Sequence, residues 1–406
     1  MTVARWLKAA GRAVPGWLVV LATLGGASAR AAEDGAPPPL TPDSYWIYVG
    51  TYTTGKTPSE GIYRFEFDTR SGKLTPRGVA AKLTNPTFLA RHPARSFLYA
   101  VNEVEAVDGV KGGAVTAMAV DAETGDVKIL NQQSTKGPGP CHLKVDAKAL
   151  NVLAANYGGG SVVCLPIAID GMLKPASSFI QHQGKGSDPA RQRQPHAHSI
   201  NLDFSNKHAL AADLGLDKIF VYKFDADKGA LTPNDPPFAT VAPGAGPRHL
   251  AWHPSGRFAY VINEMGNTVT AFAYDAEAGR LDTIQTISTL PEGFQGKSWT
   301  SEIVVHPNGD FVYGSNRGDD SIAIFEIHPT TGKLTAAGRQ PTGGKTPRNF
   351  VIDRSGRWLL AANQDSDNIL VFSVDRDSGA LTQVGEPVWA PMPVCIRMIP
   401  IVVPPR

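Results

Sequence analysis

The 406-residue sequence has few cysteines and almost no net charge, and both shortages narrow what the protein can be. Its three cysteines are Cys141, Cys164 and Cys395, an odd number that would leave at least one unpaired in an exported protein. Their spacing matches no metal site, so the sequence predicts small buried residues. A formal net charge of +2 gives no reason to expect binding to nucleic acid or to an anionic membrane.

An apolar run of membrane-spanning length is also missing near the N-terminus. The apolar stretch at 17–24 is shorter than the ~20 residues that a spanning helix needs. It follows three basic residues and precedes small residues, which is typical of a secretory signal cleaved after Ala29 or Ala31. An N-terminal membrane anchor is the alternative; no cysteine follows the run, so a lipoprotein is not expected. We therefore expect a signal peptide at 1–31, a flexible Pro-rich leader at 32–44, and export to the periplasm or the cell exterior.

Glycine and proline, in contrast, are abundant, with 41 and 32 residues, and the glycines mark a repeat. A Gly-x-Leu or Gly-x-Val turn occurs seven times, at spacings of 53, 46, 58, 50, 53 and 47 residues. Residues before each turn alternate apolar and polar with period two, which predicts β-hairpins whose glycine takes a positive φ. The seven glycines are Gly72, Gly125, Gly171, Gly229, Gly279, Gly332 and Gly379.

A second hairpin signature lies upstream of the last six of these turns, where His or Asp is followed ten residues later by Asn or Asp. Each unit therefore predicts four antiparallel strands, the size of one blade of a β-propeller. The first unit lacks an opening strand, which the C-terminal segment 394–399 can supply. The sequence thus predicts an all-β fold over 45–406, a single seven-bladed propeller closed by N- and C-terminal strands that share one blade. The hairpin pairs are His92/Asn102, Asp146/Asn156, Asp203/Asp213, His253/Asn263, His306/Asn316 and Asp353/Asn363.

These hairpins locate the residues that ring one mouth of the central channel, because the start of strand one and the end of strand two lie on the same face of the disc. A polar cluster of mixed charge that converges from several blades is a candidate binding site. The starts of strand one carry Thr87, Cys141, His198, Arg248, Ser301 and Arg348, followed by Phe88, His142, Ser199, His249, Glu302 and Asn349. The ends of strand two add Glu103, Tyr157 and Glu264.

Two further features near this mouth leave alternatives open. His196 and His198 lie on one side of a strand, but no acidic or cysteine partner has a recognisable spacing, so the pair could bind substrate or brace the loop. We expect no metal and no cofactor. The insertion at 182–194 carries Arg191 and could contact an anionic substrate or form a solvated surface loop.

Several segments together resemble the seven-bladed propeller lactonases, a family that includes bacterial 6-phosphogluconolactonases and the fungal 3-carboxymuconate-cyclising enzyme. The resemblance covers about residues 45 to 400, and its most specific element is Arg248 with Glu264 sixteen residues later. The segments are Gly244-Ala245-Gly246-Pro247-Arg248-His249-Leu250, His253-Pro254, Val261-Ile262-Asn263-Glu264, Pro291-Glu292-Gly293-Phe294, and Arg191-Gln192 before Pro195-His196-Ala197-His198-Ser199.

The resemblance implies a metal-independent site made of a histidine, two arginines and a glutamate, which fall on His142, Arg248, Glu264 and Arg348. The expected reaction is hydrolysis of a sugar lactone, with Glu264 or His142 as the base that activates water. Arg248 would stabilise the oxyanion or pair with Glu264, and Arg348 would bind a carboxylate or phosphate. The residues expected to bind substrate are His196, His198, His249, Arg191, Tyr157 and Glu103.

Two other functions remain open at this point. The first is a non-catalytic propeller that binds a ligand or protein at the same mouth, and the second is a cyclase that forms a lactone from an unsaturated diacid. Because phosphorylated sugar lactones are cytosolic, the predicted export signal favours an unphosphorylated sugar lactone or a changed activity. The expected partner is a small-molecule sugar lactone or sugar acid, and a monomer is expected.

Overall fold

The computed structural model describes residues 43–107 and 109–401. The predicted signal peptide and most of the leader lie outside the described residues. Seven sheets of four antiparallel strands follow one another along the chain, which confirms the predicted propeller. No helix within these two ranges is long and apolar enough to cross a membrane.

The strands are numbered in chain order, and each blade is named by its sheet. Blade 1 contains β1 (Ser44–Thr51), β2 (Gly61–Asp68), β3 (Lys73–Lys82) and the last strand, β30 (Pro393–Pro400). Blade 2 contains β4 (Leu89–Arg91), β5 (Phe97–Asn102), β8 (Ala114–Val120) and β9 (Val127–Ser134), with a small hairpin of β6 (Ala106–Val107) and β7 (Val110–Lys111). Blade 3 contains β10 (Pro140–Val145), β11 (Asn151–Asn156), β12 (Ser161–Pro166) and β13 (Ser178–Gln181).

The remaining blades repeat the same order of four strands. Blade 4 contains β14 (Ala197–Leu202), β15 (His208–Asp213), β16 (Lys218–Asp225) and β17 (Ala230–Thr240). Blade 5 contains β18 (Pro247–Trp252), β19 (Phe258–Asn263), β20 (Thr268–Asp275) and β21 (Arg280–Ser288). Blade 6 contains β22 (Trp299–Val305), β23 (Phe311–Arg317), β24 (Ser321–Ile327) and β25 (Leu334–Pro341). Blade 7 contains β26 (Pro347–Ile352), β27 (Trp358–Asn363), β28 (Asn368–Val374) and β29 (Leu381–Trp389), with a 3-10 turn at Gln364–Ser366.

Blade 1 closes the ring in the predicted way. The C-terminal strand β30 pairs antiparallel with β1, with Ile47 opposite Met398 and Val49 opposite Ile396. β1 begins at Ser44, one residue inside the predicted leader. Because the first and last strands of the chain share one sheet, unrolling the ring would require their hydrogen bonds to break together.

The repeated glycine turns are contact points between neighbouring blades. Buried tyrosines of one blade donate hydrogen bonds to the glycine carbonyl of the next, as from Tyr313 to Gly379 at 2.8 Å. Gly332 has φ +68°, and a Cβ there would lie 2.5 Å from Cδ1 of Phe258. The turn therefore needs glycine both for its backbone conformation and for close packing. This double requirement explains why the residue recurs once in each blade.

The hydrophobic cores lie between blades. Phe311 and Tyr313 of blade 6, for example, pack with Phe350 and Phe372 of blade 7. Fully burying a side chain of this size contributes roughly 1.5–3 kcal/mol. The three cysteines are buried, as the sequence predicted, and all three are unpaired.

β-Bulges in the innermost strands determine which side chains reach the mouth of the channel. The pairing register of β10, β14, β18 and β26 shifts one residue after the strand begins. The extra residue is left unpaired, which changes the direction in which it and its successor point. The bulged residues are Cys141, His198, Arg248 and Arg348, and their successors are His142, Ser199, His249 and Asn349.

Candidate active site

A cavity of about 420 Å³, which we call the upper chamber, lies where the inner strands begin and the second strands end. This is the mouth predicted from the sequence, and its size is typical of a small-molecule site. Its walls combine acidic, basic and aromatic side chains from all seven blades and one insertion. They are Tyr52, Glu103, Cys141, Tyr157, Arg191, His198, Glu264, Trp299, Arg317 and Arg348.

Glu264 is the centre of a buried ion cluster in the upper chamber. Its Oε1 accepts a hydrogen bond from Arg191 at 2.9 Å, and its Oε2 lies 2.8 Å from Arg317 and 3.1 Å from Nε of Arg248. Nε2 of His198 lies 3.7 Å from the same Oε2 atom. Burial alone would raise the pKa of Glu264, but the surrounding positive groups outweigh burial and hold the pKa far below its usual range. Glu264 is therefore a permanently ionised carboxylate and a weak base.

Glu103, on the other side of the chamber, has the opposite electrostatic environment. One of its oxygens accepts a hydrogen bond from the Tyr52 hydroxyl at 2.9 Å, and the other accepts one from Thr87. Arg348 donates to Tyr52 at 3.0 Å rather than pairing with Glu103 directly. Burial raises the pKa of Glu103, although the charge of Arg348 and the two hydrogen bonds oppose this rise. Glu103 is thus the more basic of the two carboxylates.

His198 and Cys141 lie together between these two glutamates. Nδ1 of His198 is 3.6 Å from the sulfur of Cys141. Burial, followed by the charge of Arg248, lowers the pKa of His198 well below its usual range, so its imidazole is neutral at pH 7. Burial also raises the pKa of Cys141, which keeps it a thiol and makes it a poor nucleophile.

A layer of rings closes the channel below the upper chamber. The ring of His142 lies 4.4 Å from that of Phe88 and 5.1 Å from that of His249. We call these three residues the constriction. Only a small cavity of about 10 Å³ separates Phe88 and His249 from Arg248 above them. A sugar-sized molecule therefore cannot pass between the two ends of the channel.

A chain of hydrogen bonds fixes Arg248 from below. Its Nη1 donates to Nε2 of His249 at 3.1 Å, so His249 carries its proton on Nδ1. That Nδ1 donates to Oε1 of Glu302 at 2.8 Å, and Asn349 donates to the other oxygen of Glu302. His249 therefore holds Arg248 in place and does not line the upper chamber.

The structure places most of the predicted site residues around the upper chamber. Glu103, Tyr157, Arg191, His198, Glu264 and Arg348 line it. Arg248 is buried beneath Glu264 and forms its floor. The other three predicted residues lie elsewhere, with His142 and His249 in the constriction and His196 stacked behind Tyr157 at 4.5 Å. The roles predicted for these residues stay predictions.

The sequence analysis missed three residues of the chamber. Arg317 directly follows Asn316, just as Glu103 and Glu264 follow the asparagines of their hairpins. The position after the hairpin asparagine therefore identifies it in the sequence. Tyr52 occupies this position in blade 1, where the hairpin signature is absent. Trp299 is partly exposed and lies just before the bulge in β22. No motif in the sequence marks it as a residue of the site.

The insertion at 182–194 is part of the site. Nε2 of Gln192 donates to the carbonyl of Leu214 and to Asp217, both at 2.8 Å, which anchors the loop. Arg191, one residue earlier, donates to the hydroxyl of Tyr157 at 3.0 Å as well as to Glu264. The loop thus forms one wall of the chamber. Across the residues described, no group of three or more His, Cys, Asp or Glu side chains is arranged to hold a metal ion.

Comparisons with known proteins agree with this architecture. The family profile described as "Lactonase, 7-bladed beta-propeller" matches residues 46–398. A Bacillus subtilis protein named 6-phosphogluconolactonase is 41% identical over 355 residues, covering 87% of this chain and 98% of the relative. A Formosa agariphila protein of the same name is 33% identical, and the match covers 76% of this chain and 86% of the relative. The solved structure of a periplasmic gluconolactonase from Pseudomonas aeruginosa has a TM-score of 0.83 and 34% identity, covering 88% of this chain and 100% of that one.

Proposed function

The chain belongs to the seven-bladed β-propeller lactonase family, and on that premise we propose that this lactone hydrolase converts a sugar lactone to the aldonic acid in the upper chamber. The observation that carries the proposal is the contrast between two glutamates in one chamber. Glu264 contacts three arginines and Glu103 contacts two hydroxyl groups, so their pKa values are displaced in opposite directions. Two carboxylates with divergent pKa values in one cavity indicate two different chemical roles.

Glu103 is proposed as the general base. Its raised pKa makes it a stronger base than Glu264, whose pKa is held far below the usual range. Glu103 would take a proton from water as the water oxygen attacks the lactone carbonyl carbon. When the ring C–O bond breaks, the same proton passes from Glu103 to the departing alkoxide, which becomes the new hydroxyl of the aldonic acid. The new bond from the water oxygen to the carbonyl carbon replaces the broken ring C–O bond, and Glu103 is deprotonated again at the end of the cycle.

Glu264 is proposed to organise the arginines rather than to transfer a proton. Arg191, Arg248 and Arg317 all contact it, so it fixes their directions before substrate arrives. Removing this carboxylate would leave three like charges close together in a buried site. Preorganised cations of this kind stabilise developing negative charge without having to rearrange during the reaction.

The arginines that face the cavity are proposed to stabilise the tetrahedral oxyanion and the product carboxylate. Within the described part of the chain, the Arg348 guanidinium donates a hydrogen bond only from Nη2, to the Tyr52 hydroxyl. Its carbon atom lies 5.2 Å from the centre of the Tyr52 ring, which helps to hold the group in place. Arg191 reaches in from the opposite wall. Four guanidinium groups against two carboxylates leave the chamber positive, which suits an oxygen-rich anionic transition state. Neutral His198 is proposed to hydrogen-bond a substrate hydroxyl.

An unphosphorylated lactone outside the cytoplasm is the proposed substrate. The predicted export signal supports this, as does the similarity to a protein named for periplasmic gluconolactonase activity. The relatives named 6-phosphogluconolactonase make the phosphorylated lactone the competing substrate.

The test measures acid release from glucono-δ-lactone and from 6-phosphogluconolactone against their spontaneous hydrolysis, with Glu264→Gln as the matched control. We expect the purified protein to accelerate the unphosphorylated lactone at least as well as the phosphorylated one, and the variant to lose this acceleration. A strong preference for the phosphorylated lactone would overturn the substrate assignment. If the folded protein accelerates neither, the upper chamber binds a ligand without hydrolysing a sugar lactone.

A further inference from the structure

The opposite end of the channel contains a second cavity system, which we call the lower vestibule. Two cavities of about 430 and 360 Å³ share Lys144, Val145, Val351 and Arg397 in their walls. They lie at the far ends of the inner strands, and the constriction separates them from the upper chamber. A ligand there would enter from the opposite face of the disc.

Four cationic side chains from four successive blades face this vestibule. Lys144 lies in β10 of blade 3 and Arg397 in β30 of blade 1, and both occupy the fifth position of an inner strand. Arg91 ends β4 of blade 2, and Arg354 lies in the turn after β26 of blade 7. The sequence repeat therefore brings four positive charges to one side of the lower mouth.

None of these four cations forms an ion pair with a carboxylate among the described residues, although the charge of the buried Glu302 acts on Lys144 and Arg397. Among the described residues, Lys144, Arg91 and Arg354 form no side-chain hydrogen bond or ion pair. Arg397 donates only to the carbonyls of Leu89 and Ile396, at 2.7 and 2.6 Å, and lies 4.5 Å from the centre of the Phe88 ring. Like charges that face one cavity without counter-charges repel one another, which favours a bound anion.

The carboxylates on the vestibule wall already accept hydrogen bonds from other protein groups. Glu302 faces it from the constriction, but its oxygens accept hydrogen bonds from His249, Asn349 and the backbone of Ile303. Asp203 on the vestibule wall accepts from the backbone of the turn that follows it and from the hydroxyl of Tyr274 at 3.2 Å. These carboxylates serve local structure and leave the cations available.

The crowding of like charges contributes to the pKa shifts of two of the cations. Desolvation by the surrounding protein, followed by the charge of Arg397, lowers the pKa of Lys144, although the residue is exposed to solvent. Enclosure, followed by the charge of Arg354, likewise lowers the pKa of Arg91. A solvated surface would separate such charges, whereas this vestibule concentrates them around a cavity of small-molecule size.

We propose that the lower vestibule is a second ligand site that binds a small phosphate-bearing molecule through Lys144, Arg397, Arg91 and Arg354. A phosphate group carries up to two charges and several acceptor oxygens, so it can engage cations from several blades at once. A single carboxylate would satisfy only part of the cluster. Guanidinium groups bind phosphate oxygens in pairs, and the lysine adds a point charge. This site does not depend on the function proposed for the upper chamber.

The test is calorimetric titration of the protein with inorganic phosphate and, separately, gluconate, at constant ionic strength set with chloride. Lys144→Met and Arg354→Gln remove vestibule charges independently, and Arg354 is an exposed turn residue whose loss should leave folding intact. Lys128→Met, on the exposed outer strand β9, removes the same charge elsewhere. Arg191→Gln reports on binding in the upper chamber.

We expect both vestibule variants to weaken phosphate binding about tenfold or more, since each loses a charge-assisted contact. Lys128→Met and Arg191→Gln should bind phosphate at this site like the wild type. The proposal is overturned if phosphate binds no better than chloride, or if only Arg191→Gln loses it, because the anion would then occupy the upper chamber. Tighter binding of gluconate than of phosphate would make the ligand a carboxylate instead.

Discussion

The two ends of the central channel are both rich in cations but organise them differently. In the upper chamber, three arginines contact one buried carboxylate, Glu264, at 2.8 to 3.1 Å. In the lower vestibule, four cations form no ion pair with a carboxylate among the described residues. The first arrangement fixes guanidinium groups in advance, and the second leaves charges free to be neutralised by something else. Paired cations are therefore suited to stabilising a transition state, and unpaired cations to binding an anion.

The sharpest test of the upper chamber is Glu103→Gln. It removes the proposed base while keeping the size and most hydrogen-bonding capacity of the side chain. We expect kcat for the preferred lactone to fall about 10²–10⁴-fold, the usual contribution of general-base catalysis, with little change in KM. Steady-state kinetics above the spontaneous rate measure this. An unchanged kcat would remove Glu103 from the mechanism.

Glu264→Gln should differ from Glu103→Gln by affecting stability as well as rate. Three arginines would lose their shared counter-charge, and breaking a buried ion pair typically costs about 3–5 kcal/mol. We expect a lower denaturation midpoint together with a loss of activity of about 10²-fold or more. Denaturant unfolding of both variants side by side measures the contrast. Equal stability of the two variants would mean that Glu264 does not organise the arginines.

Two histidine variants test which of the two side chains reaches the upper chamber and which lies deeper in the channel. His198 lines the upper chamber, whereas His142 lies in the constriction. His198→Asn should lower kcat/KM about tenfold, as expected for one lost hydrogen bond to substrate, and His142→Asn should lower it much less. The same lactone assay checks both proteins after their folding is confirmed. A larger loss in His142→Asn would support the predicted catalytic role of His142 and contradict the role proposed for His198.

The smallest effect on catalysis is expected from Lys144→Met. The constriction separates Lys144 from the upper chamber, so lactone hydrolysis should keep wild-type kinetics. Parallel assays of this variant and Lys128→Met measure the difference. A loss of activity only in Lys144→Met would show that the two ends of the channel do not act independently.

The fold could be predicted from sequence because each blade carries its own local signals. The glycine turns and the period-two strands recur seven times. The first unit lacks an opening strand, and the C-terminal strand supplies it in blade 1. The depth of the histidines could not be predicted in this way. His142 and His198 both lie near the start of an inner strand, and only the bulges at Cys141 and His198 decide which side chain reaches the chamber.

The electrostatics of the glutamates were also beyond the sequence. Glu103 and Glu264 follow equivalent asparagines and look interchangeable in the repeat. Their pKa values diverge because Glu264 receives arginines from blades 5 and 6 and from the insertion, while Glu103 receives hydroxyl groups. Arg248 and Thr87 belong to the same blade as the glutamate they contact, but Arg191, Arg317 and Tyr52 come from other parts of the chain, so the difference arises only in the folded protein.

The most direct test of the central claim is the pH dependence of kcat/KM for the wild type, Glu103→Gln and His198→Asn. Glu103 must be ionised to accept a proton, and its pKa is raised above the usual 4.5. Activity should therefore fall as the pH drops through an apparent pKa above 4.5, in the wild type and in His198→Asn alike. The residual activity of Glu103→Gln should lack this acidic limb. If Glu103→Gln retains the limb and the wild-type rate, Glu103 is not the base and the account of the upper chamber is wrong.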